Sequence, residues 1–454
     1  MARGPLRISH VGLRGVVGTG LTASHVLDFA SAFGTFLEPG GGVVIGRDPR
    51  ASGLMIEQGV AAALMACGHD VINLGVVSTP VIQHAIRRLG AAGGISIGAS
   101  HNSAEWNALK FFGRNGTYLS TAEASELLDI YHLRKFSFVP HTALGSVRRE
   151  EGAIEAYLAE LASAYDFPAL AGFRVVVDCC NGTSSLILRR LNERFGFRFI
   201  LINERLQGTQ FAHAPSTNAA TVGLQLSPLV EPLGADAGFL FDIDSDRVAI
   251  ATERGEAVSE EMILPMLADH ILPRSAAKIV ITNVSSSSLL EEVAARHGGR
   301  VVRVPVGRQA AMDALASYRS EDLALAGEGT GAVMMSRFRF VYDGIASMLS
   351  ILTMMAETGR KLSEIVASYP VYCMLKDEVA VIPKQIPSLL MELAQSYPDA
   401  TPNTIDGLRL DWPDRWVHVR VSQTESLVRV IAEQKGQPPR DLFDAVLDRV
   451  RRLQ

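Results

Sequence analysis

The sequence predicts an α/β protein: three similar α/β domains with mixed, largely parallel sheets, followed by a C-terminal α+β domain. Three observations predict it. The chain has 454 residues, more than one hydrophobic core usually supports. Three widely spaced segments share one pattern. Beyond Val371 that pattern gives way to shorter strand-like runs mixed with helices.

The first segment, GGVVIGRDPRASGLMIEQGVAAALMACGHDVINLG, opens on a β-branched run, passes through a polar turn, continues at helical period and returns to a β-branched run. GFRVVVDCCNGTSSLILRRLNERFGFRFILIN and AKIVITNVSSSSLLEEVAARHGGRVVRVPVG repeat it. Each reads as strand–helix–strand, the unit of a parallel sheet. Asp48 with Ser52, Thr183 with Ser184, and Ser285 with Ser286 stand where helix N-caps are expected. After Val371 come KDEVAVIP, the helical IPSLLMELAQSY, GLRLDWP, WVHVRVS, LVRVIAE and a last helix, PRDLFDAVLDRVRRL. The expected domains are 1–145, 150–253, 254–369 and 371–454.

Composition bounds the function. Apolar residues make up 48% and charged residues 20%, as in an ordinary packed protein. Forty-three basic residues against 48 acidic ones give a net charge of −5, so nothing argues for nucleic acid or for an anionic membrane surface. Cys67, Cys179, Cys180 and Cys373 form no C-x-x-C pair and read as buried thiols of a reducing compartment. MARGPLRISHVGLRG lacks the apolar centre of a signal peptide, and GIASMLSILTMMA, Gly344 to Ala356, is too short to span a bilayer and reads as a buried helix. A cytoplasmic protein is expected.

Asp242-Ile243-Asp244-Ser245-Asp246-Arg247 follows the apolar run Ala237 to Phe241. In extended chain, alternate side chains share a face, so the three carboxylates can converge. Their repulsion implies a cation, and oxygen-only ligands favour Mg²⁺ or Ca²⁺. An EF-hand is excluded, because Arg247 stands where that loop needs glycine. Ser100, in Gly98-Ala99-Ser100-His101-Asn102, is a second candidate. It lacks the second glycine of a hydrolase elbow, and beside a divalent-metal site it is better suited to carry phosphate than to attack a carbonyl. Alone, it would serve equally as a helix N-cap. Arg420-Val421-Ser422-Gln423-Thr424-Glu425-Ser426-Leu427-Val428-Arg429 sets hydroxyls between arginines, as an anion-binding turn or a solvated one. Gly327-Glu328-Gly329-Thr330-Gly331 is a glycine-rich loop with one carboxylate and one hydroxyl.

Together these loops resemble those of the α-D-phosphohexomutases, in the same order and across essentially the whole chain. Gly12-Leu13-Arg14-Gly15 matches the start loop and Gly46-Arg47-Asp48-Pro49-Arg50 the next motif. Ala99-Ser100-His101-Asn102, with Asn107 and Lys110, matches the phosphoserine loop, and Asp242, Asp244, Asp246 and Arg247 match the metal loop. Gly327 to Gly331 partly matches the sugar loop, while Arg420, Ser422, Thr424, Glu425 and Arg429 match the phosphate loop. Ser103, Gln423, Ser426 and Ala332 depart from the family pattern, and Arg308 stands where relatives vary with substrate.

The resemblance implies four domains around a central cleft and a phosphoserine enzyme. Ser100 would carry phosphate and join the three aspartates in holding one Mg²⁺. Lys110, Arg14 and His101 would be the catalytic side chains beside it. Glu328 and Thr330 would contact ring hydroxyls, and Arg308 would add a further contact or approach a phosphate. Arg420, Ser422, Thr424 and Arg429, with Arg247, would complete substrate binding. A hexose bisphosphate would be both intermediate and activator, and the partner is a small sugar phosphate, bound by a monomer or homodimer. The stretches GEGTGAVM and WVHVRVSQTESLVRVIAE look most like the phosphoglucosamine mutase branch, with mannose or glucose phosphate as alternatives. A silent sugar-phosphate-binding relative and a serine-dependent phosphatase are the other readings.

Overall fold

The computed structural model describes residues 6–38, 41–336, 338–380, 385–421 and 427–453. Strands Leu6–Ser9 (β1), Gly12–Val16 (β2), Val43–Arg47 (β3), Val71–Val76 (β4), Gly93–Ile97 (β5), Trp106–Gly113 (β6) and Val147–Arg149 (β7) form one sheet, ordered β1-β2-β6-β5-β3-β4-β7. Its β5-β3-β4-β7 half is parallel and the other pairs are antiparallel. Arg174–Asp178 (β8), Arg198–Ile202 (β9), Ala237–Phe241 (β10) and Val248–Thr252 (β11) form a second sheet, ordered β11-β10-β8-β9. Ile279–Asn283 (β12), Arg300–Val304 (β13), Leu323–Glu328 (β14) and Ala332–Met335 (β15) form a third, ordered β13-β12-β14-β15. In both, only the closing hairpin is antiparallel.

The three look-alike segments are the expected strand–helix–strand units, through helices Gly53–Ala66, Ser184–Phe195 and Leu289–Arg296. The turn residues behave differently from expectation. Ser52 and Thr183 hold the N-cap positions without capping through their side chains, and the third helix starts after Ser288 rather than Ser285 or Ser286. Their hydroxyls reach across loops instead: Asn107 Nδ2 donates to Ser52 Oγ at 2.9 Å, and Thr183 Oγ1 donates to Ile243 O at 2.9 Å. Asp48 binds Arg50. Tertiary contacts have overridden the local capping preference.

The fourth domain is an antiparallel sheet ordered β16-β20-β19-β18-β17, from Tyr372–Ala380 (β16), Thr401–Asn403 (β17), Leu408–Asp411 (β18), Arg415–Val421 (β19) and Leu427–Lys435 (β20). Helices Ile386–Ser396 and Arg440–Arg451 pack on it through Leu389, Leu393, Phe443 and Val446. One apolar core runs through parts of the first three domains, from Val44 through Val177 to Leu325, and takes in the helix Gly344–Thr358, of which residues 344–355 are all buried. No helix among the described residues is long and apolar enough to cross a membrane.

The fourth domain has its own core and joins the third through polar contacts. Val306 N donates to Asp406 Oδ2 at 3.0 Å and Lys376 pairs with Glu261 at 2.8 Å. His418 bridges the two, with Ser285 Oγ 2.9 Å from its Nδ1 and Asp406 O at its Nε2. With Nε2–H donating to that carbonyl, Nδ1 accepts from the serine. Burial pushes the imidazole down to about 4, against about 6.5 when exposed. The neutral form therefore stabilises the packed state in full above about pH 6.5, and that contribution is lost as pH falls toward 4. We expect the denaturant midpoint to fall with pH across this window, and to fall less steeply in His418→Gln. Equal slopes for the two proteins would contradict the assignment.

Candidate functional site

Parallel strands that point the same way deliver their following loops to one edge, where α/β proteins bind ligands. Here β3 delivers Asp48 and Arg50, β4 delivers Thr79, β5 delivers Ser100, β10 delivers Asp242 to Asp246 and β14 ends on Glu328. Ser100 and Ser245 both hold left-handed backbone, with φ of 48° and 62°. Such strain in non-glycine residues is concentrated at functional sites.

Ser100 is 2% exposed, and its Oγ donates to Asp242 Oδ2 at 2.5 Å, joining the first domain to the second. Asp242, Asp244 and Asp246 are buried and place oxygens within 4.8 Å of one another. The buried helix Gly344–Thr358 begins against this loop. Gly344 N donates to Ser245 O at 3.1 Å, and a Cβ on Gly344 would stand 2.8 Å from Arg247 O, so the close approach needs glycine.

The electrostatics are those of a cation site. Burial first, then repulsion from Asp246 and Asp244, drives the Asp242 carboxyl well above its usual range. Burial and Asp244 raise Asp246. Burial acts against ionising Asp244 too, but the Lys110 ammonium and the Thr79 hydroxyl outweigh it and hold that carboxyl low. Oδ1 of Asp244 and Oδ1 of Asp246 are buried with no hydrogen-bond partner among the described residues. Buried carboxylate oxygens without a hydrogen-bond donor, in an oxygen-only set, fit a hard divalent ion.

Cations ring the triad. Lys110 Nζ donates to Asp244 Oδ2, and to Asp246 Oδ2 at 3.2 Å. Arg308 donates to Asp246 Oδ2 at 2.8 Å and to the Tyr118 hydroxyl, its guanidinium 4.8 and 5.0 Å from the rings of Tyr118 and Tyr342. Arg247 N donates to Asp242 Oδ1 at 3.2 Å. Arg14 donates to Asn102 Oδ1 at 2.9 Å, and burial followed by Arg247 and Arg308 pushes it down to about 10. His101 Nδ1 lies 3.4 Å from Ser100 Oγ. The Arg247 charge, with Arg14 and Lys110, holds that ring well below the ordinary imidazole range.

From Ser100 the cleft continues as two adjoining cavities of ≈ 410 and ≈ 430 Å³ that share Glu328 and Arg429. Tyr342 OH donates to Glu328 Oε1 at 3.3 Å. Thr330 lines the second cavity, and its Oγ1 has no partner among the described residues. Arg420 and Arg429 are cross-strand neighbours on β19 and β20 and are steadied by Asp406 and Glu378 at 2.9 and 3.3 Å. Ser422 and Thr424 lie outside the described residues. Arg14, Ser100, His101, Lys110, Arg247 and Arg308 line the first cavity with Glu328, and the three aspartates are buried behind Ser100 and Lys110; Arg308 thus borders both the acidic triad and the cavity of Glu328.

Sequence reasoning assigned no part to Arg50, Thr79, Tyr118 or Tyr342. Thr79 sits where β4 gives way to the helix Thr79–Arg88, and its Oγ1 donates to Asp244 Oδ2 at 2.7 Å. Its place just past a parallel strand was the available signal.

Comparison with known proteins finds relatives along the whole chain. The chain matches the phosphoglucomutase/phosphomannomutase alpha/beta/alpha domain I over residues 8–137, domain II over 155–255 and domain III over 259–372. It is 31% identical over 434 residues to a "Phosphoglucomutase/phosphomannomutase" of Thermococcus kodakarensis, covering 94% of each chain. It is 32% identical over 430 residues to a Pyrococcus abyssi protein named "Probable phosphoglucosamine mutase", covering 93% of this chain and 92% of the other. Among solved structures, a phosphoglucomutase/phosphomannomutase family protein of Burkholderia thailandensis superposes with a TM-score of 0.82 at 24% identity, over 98% of this chain and 97% of the other.

Proposed function

The chain belongs to the phosphoglucomutase/phosphomannomutase family, and from that premise we propose that it interconverts the 6- and 1-phosphates of a hexose through a phosphorylated Ser100. One observation carries this reading: two adjoining cavities form one cleft, with Ser100, bonded to the acidic triad, lining the first, Arg420 the second, and Glu328 and Arg429 both. A phosphorylated sugar needs such an arrangement if one phosphate is gripped while a distant hydroxyl is presented to the serine.

Arg420 and Arg429 hold the substrate's own phosphate. Glu328 accepts hydrogen bonds from ring hydroxyls, and the Thr330 hydroxyl adds a second contact. Both orient the reacting hydroxyl in line with the Oγ–P bond of Ser100. As the sugar oxygen bonds to phosphorus, the Ser100 Oγ–P bond breaks and the seryl oxygen takes the departing charge. Lys110, Arg14 and Arg308 stabilise the charge spread over the transferring group. The surrounding cations leave His101 neutral but weakly basic; the sugar hydroxyl becomes strongly acidic as its oxygen bonds to phosphorus, and the ring beside Ser100 can take its proton at that stage. The bisphosphate then turns end for end and returns its other phosphate to Ser100. Packing of the fourth domain against the third excludes water that would hydrolyse the phosphoserine. Asp242, Asp244 and Asp246 would hold Mg²⁺, which when bound supplies Lewis-acid neutralisation of phosphoryl charge. The reading is of a cytoplasmic enzyme, activated by a hexose bisphosphate.

The sugar is glucosamine phosphate. Gly-Glu-Gly-Thr-Gly-Ala leaves room around the ring, and one of the relatives above carries the corresponding name. The test is kcat/KM for the 1- and 6-phosphates of glucosamine, mannose and glucose on one preparation, with release of free phosphate followed in parallel. Glucosamine is expected to lead. A tenfold preference for a neutral hexose, about 1.4 kcal/mol in transition-state binding, would overturn the choice of sugar. Stoichiometric phosphate release would overturn the mutase reading.

A further inference from the structure

We infer that Arg50 sets the shape of the phosphoryl-carrying loop and acts on the reaction as a positioning residue, without touching substrate; this rests on the reading of Ser100 as the carrier.

Arg50 is 1% exposed and is absent from the lining of both cavities. A guanidinium has five N–H donors in a rigid planar fork. Here all five have acceptors. Nε donates to Asp48 Oδ2 at 2.9 Å. One terminal nitrogen donates to Ser103 O and to Trp106 O, the latter at 3.1 Å. The other donates to Ser100 O at 2.9 Å and Asn102 O at 2.7 Å. Four of the five acceptors are thus carbonyls of the stretch that leaves β5 and enters β6, a stretch with neither helix nor strand between Ile97 and Trp106.

Such a loop has no ladder to fix it, and Ser100 sits in it with a φ of 48°. Ser100 O is itself one of the clamped carbonyls, so Arg50 fixes the peptide plane that follows the reacting serine. Rotation of that plane would carry Oγ away from Asp242. The clamp is itself held. Asp48 Oδ1 accepts from Arg50 N at 3.0 Å, and the Phe211 ring from the second domain lies 5.0 Å from the guanidinium carbon. A Cβ on Gly98 would come within 2.6 Å of Asp48 Oδ2, so the carboxylate fits only beside glycine. The motifs Gly46 to Arg50 and Gly98 to Asn102 are therefore one interlocked unit. Lysine offers three donors from a single point and cannot span four carbonyls.

The test compares wild type with Arg50→Lys and with Asp48→Asn, which keeps Arg50 but loosens its anchor. Three readouts are taken: single-turnover transfer from the phosphoenzyme to sugar phosphate, KM, and amide exchange across residues 98–106. For Arg50→Lys the transfer rate should fall at least about tenfold while KM stays within about twofold, because the arginines that grip the substrate phosphate are untouched. Exchange over 98–106 should rise. Asp48→Asn should move the same quantities less, and it carries the test if Arg50→Lys does not fold. Unchanged transfer and exchange in the folded variants, or a KM that rises as far as the rate falls, would overturn the inference. Absence of transfer in the wild type would count against the carrier reading alone, and the exchange data would still decide whether Arg50 is the clamp.

Discussion

Ser100→Ala is expected to give a folded chain that no longer interconverts hexose phosphates, with kcat lower by more than about 10⁴-fold even when bisphosphate is supplied. The chemistry passes through one oxygen, and no neighbouring side chain can replace it. His101 is the nearest candidate, with Nδ1 3.4 Å from that oxygen, but the Arg247 charge weakens its basicity and with it its nucleophilicity, and it is Ser100 Oγ that contacts Asp242. Substrate binding should survive, because Arg420 lines only the cavity that does not reach Ser100, and Asp406 and Glu378, not the serine, hold Arg420 and Arg429 in place. Stability should change by only about 1 kcal/mol, since alanine in left-handed backbone costs little more than serine there. Coupled-assay kinetics with direct binding of sugar phosphate separate the two effects. Near-normal turnover would remove Ser100 from the mechanism.

Asp242→Asn should separate activity from stability. Removing one oxygen anion from the triad is expected to lower kcat by about 10²–10⁴-fold, because cation-assisted stabilisation of phosphoryl charge contributes several kcal/mol. Chelation of the wild type should cause a loss of the same order, restored by Mg²⁺. In metal-free protein the same substitution should raise the thermal midpoint or leave it unchanged. The sign follows from the direction of the shift: a carboxyl raised above its unfolded value by burial and by Asp246 and Asp244 is a liability when ionised. With Mg²⁺ present the order should reverse, because the ion binds the intact triad and stabilises it by mass action. Matched thermal scans with and without Mg²⁺ give both signs. Full activity in the chelated wild type would contradict the metal assignment.

What the sequence revealed was whatever lay close together along the chain. The three strand–helix–strand units could be read because each is a local pattern of about thirty residues. The triad could be read because its three aspartates fall on alternate residues after β10. The antiparallel fourth domain was visible as a change of rhythm, although β17, over Thr401–Asn403, was too short to register. What stayed hidden depends on strands distant in sequence coming together. Thr79 reaches Asp244 across 165 positions, and Arg308 reaches Tyr118 across 190. Ser52, Thr183 and Ser285, which propensity assigned to helix caps, bind distant residues instead. Arg50 stood in a matched motif, yet its role needed the carbonyls of residues 100 to 106 in view.

The most direct measurement is the fate of the phosphate on Ser100. Purified chain would be mixed for a single turnover with ¹⁸O-phosphate-labelled glucosamine 6-phosphate, quenched, and analysed by intact mass and by fragmentation at Ser100. The expected enzyme begins one phosphoryl group heavier than its sequence, passes that unlabelled group to the sugar, and regains a labelled one at Ser100 as the 1-phosphate appears. A chain that isomerises the sugar while Ser100 stays unmodified, or keeps its original phosphate throughout, would contradict it.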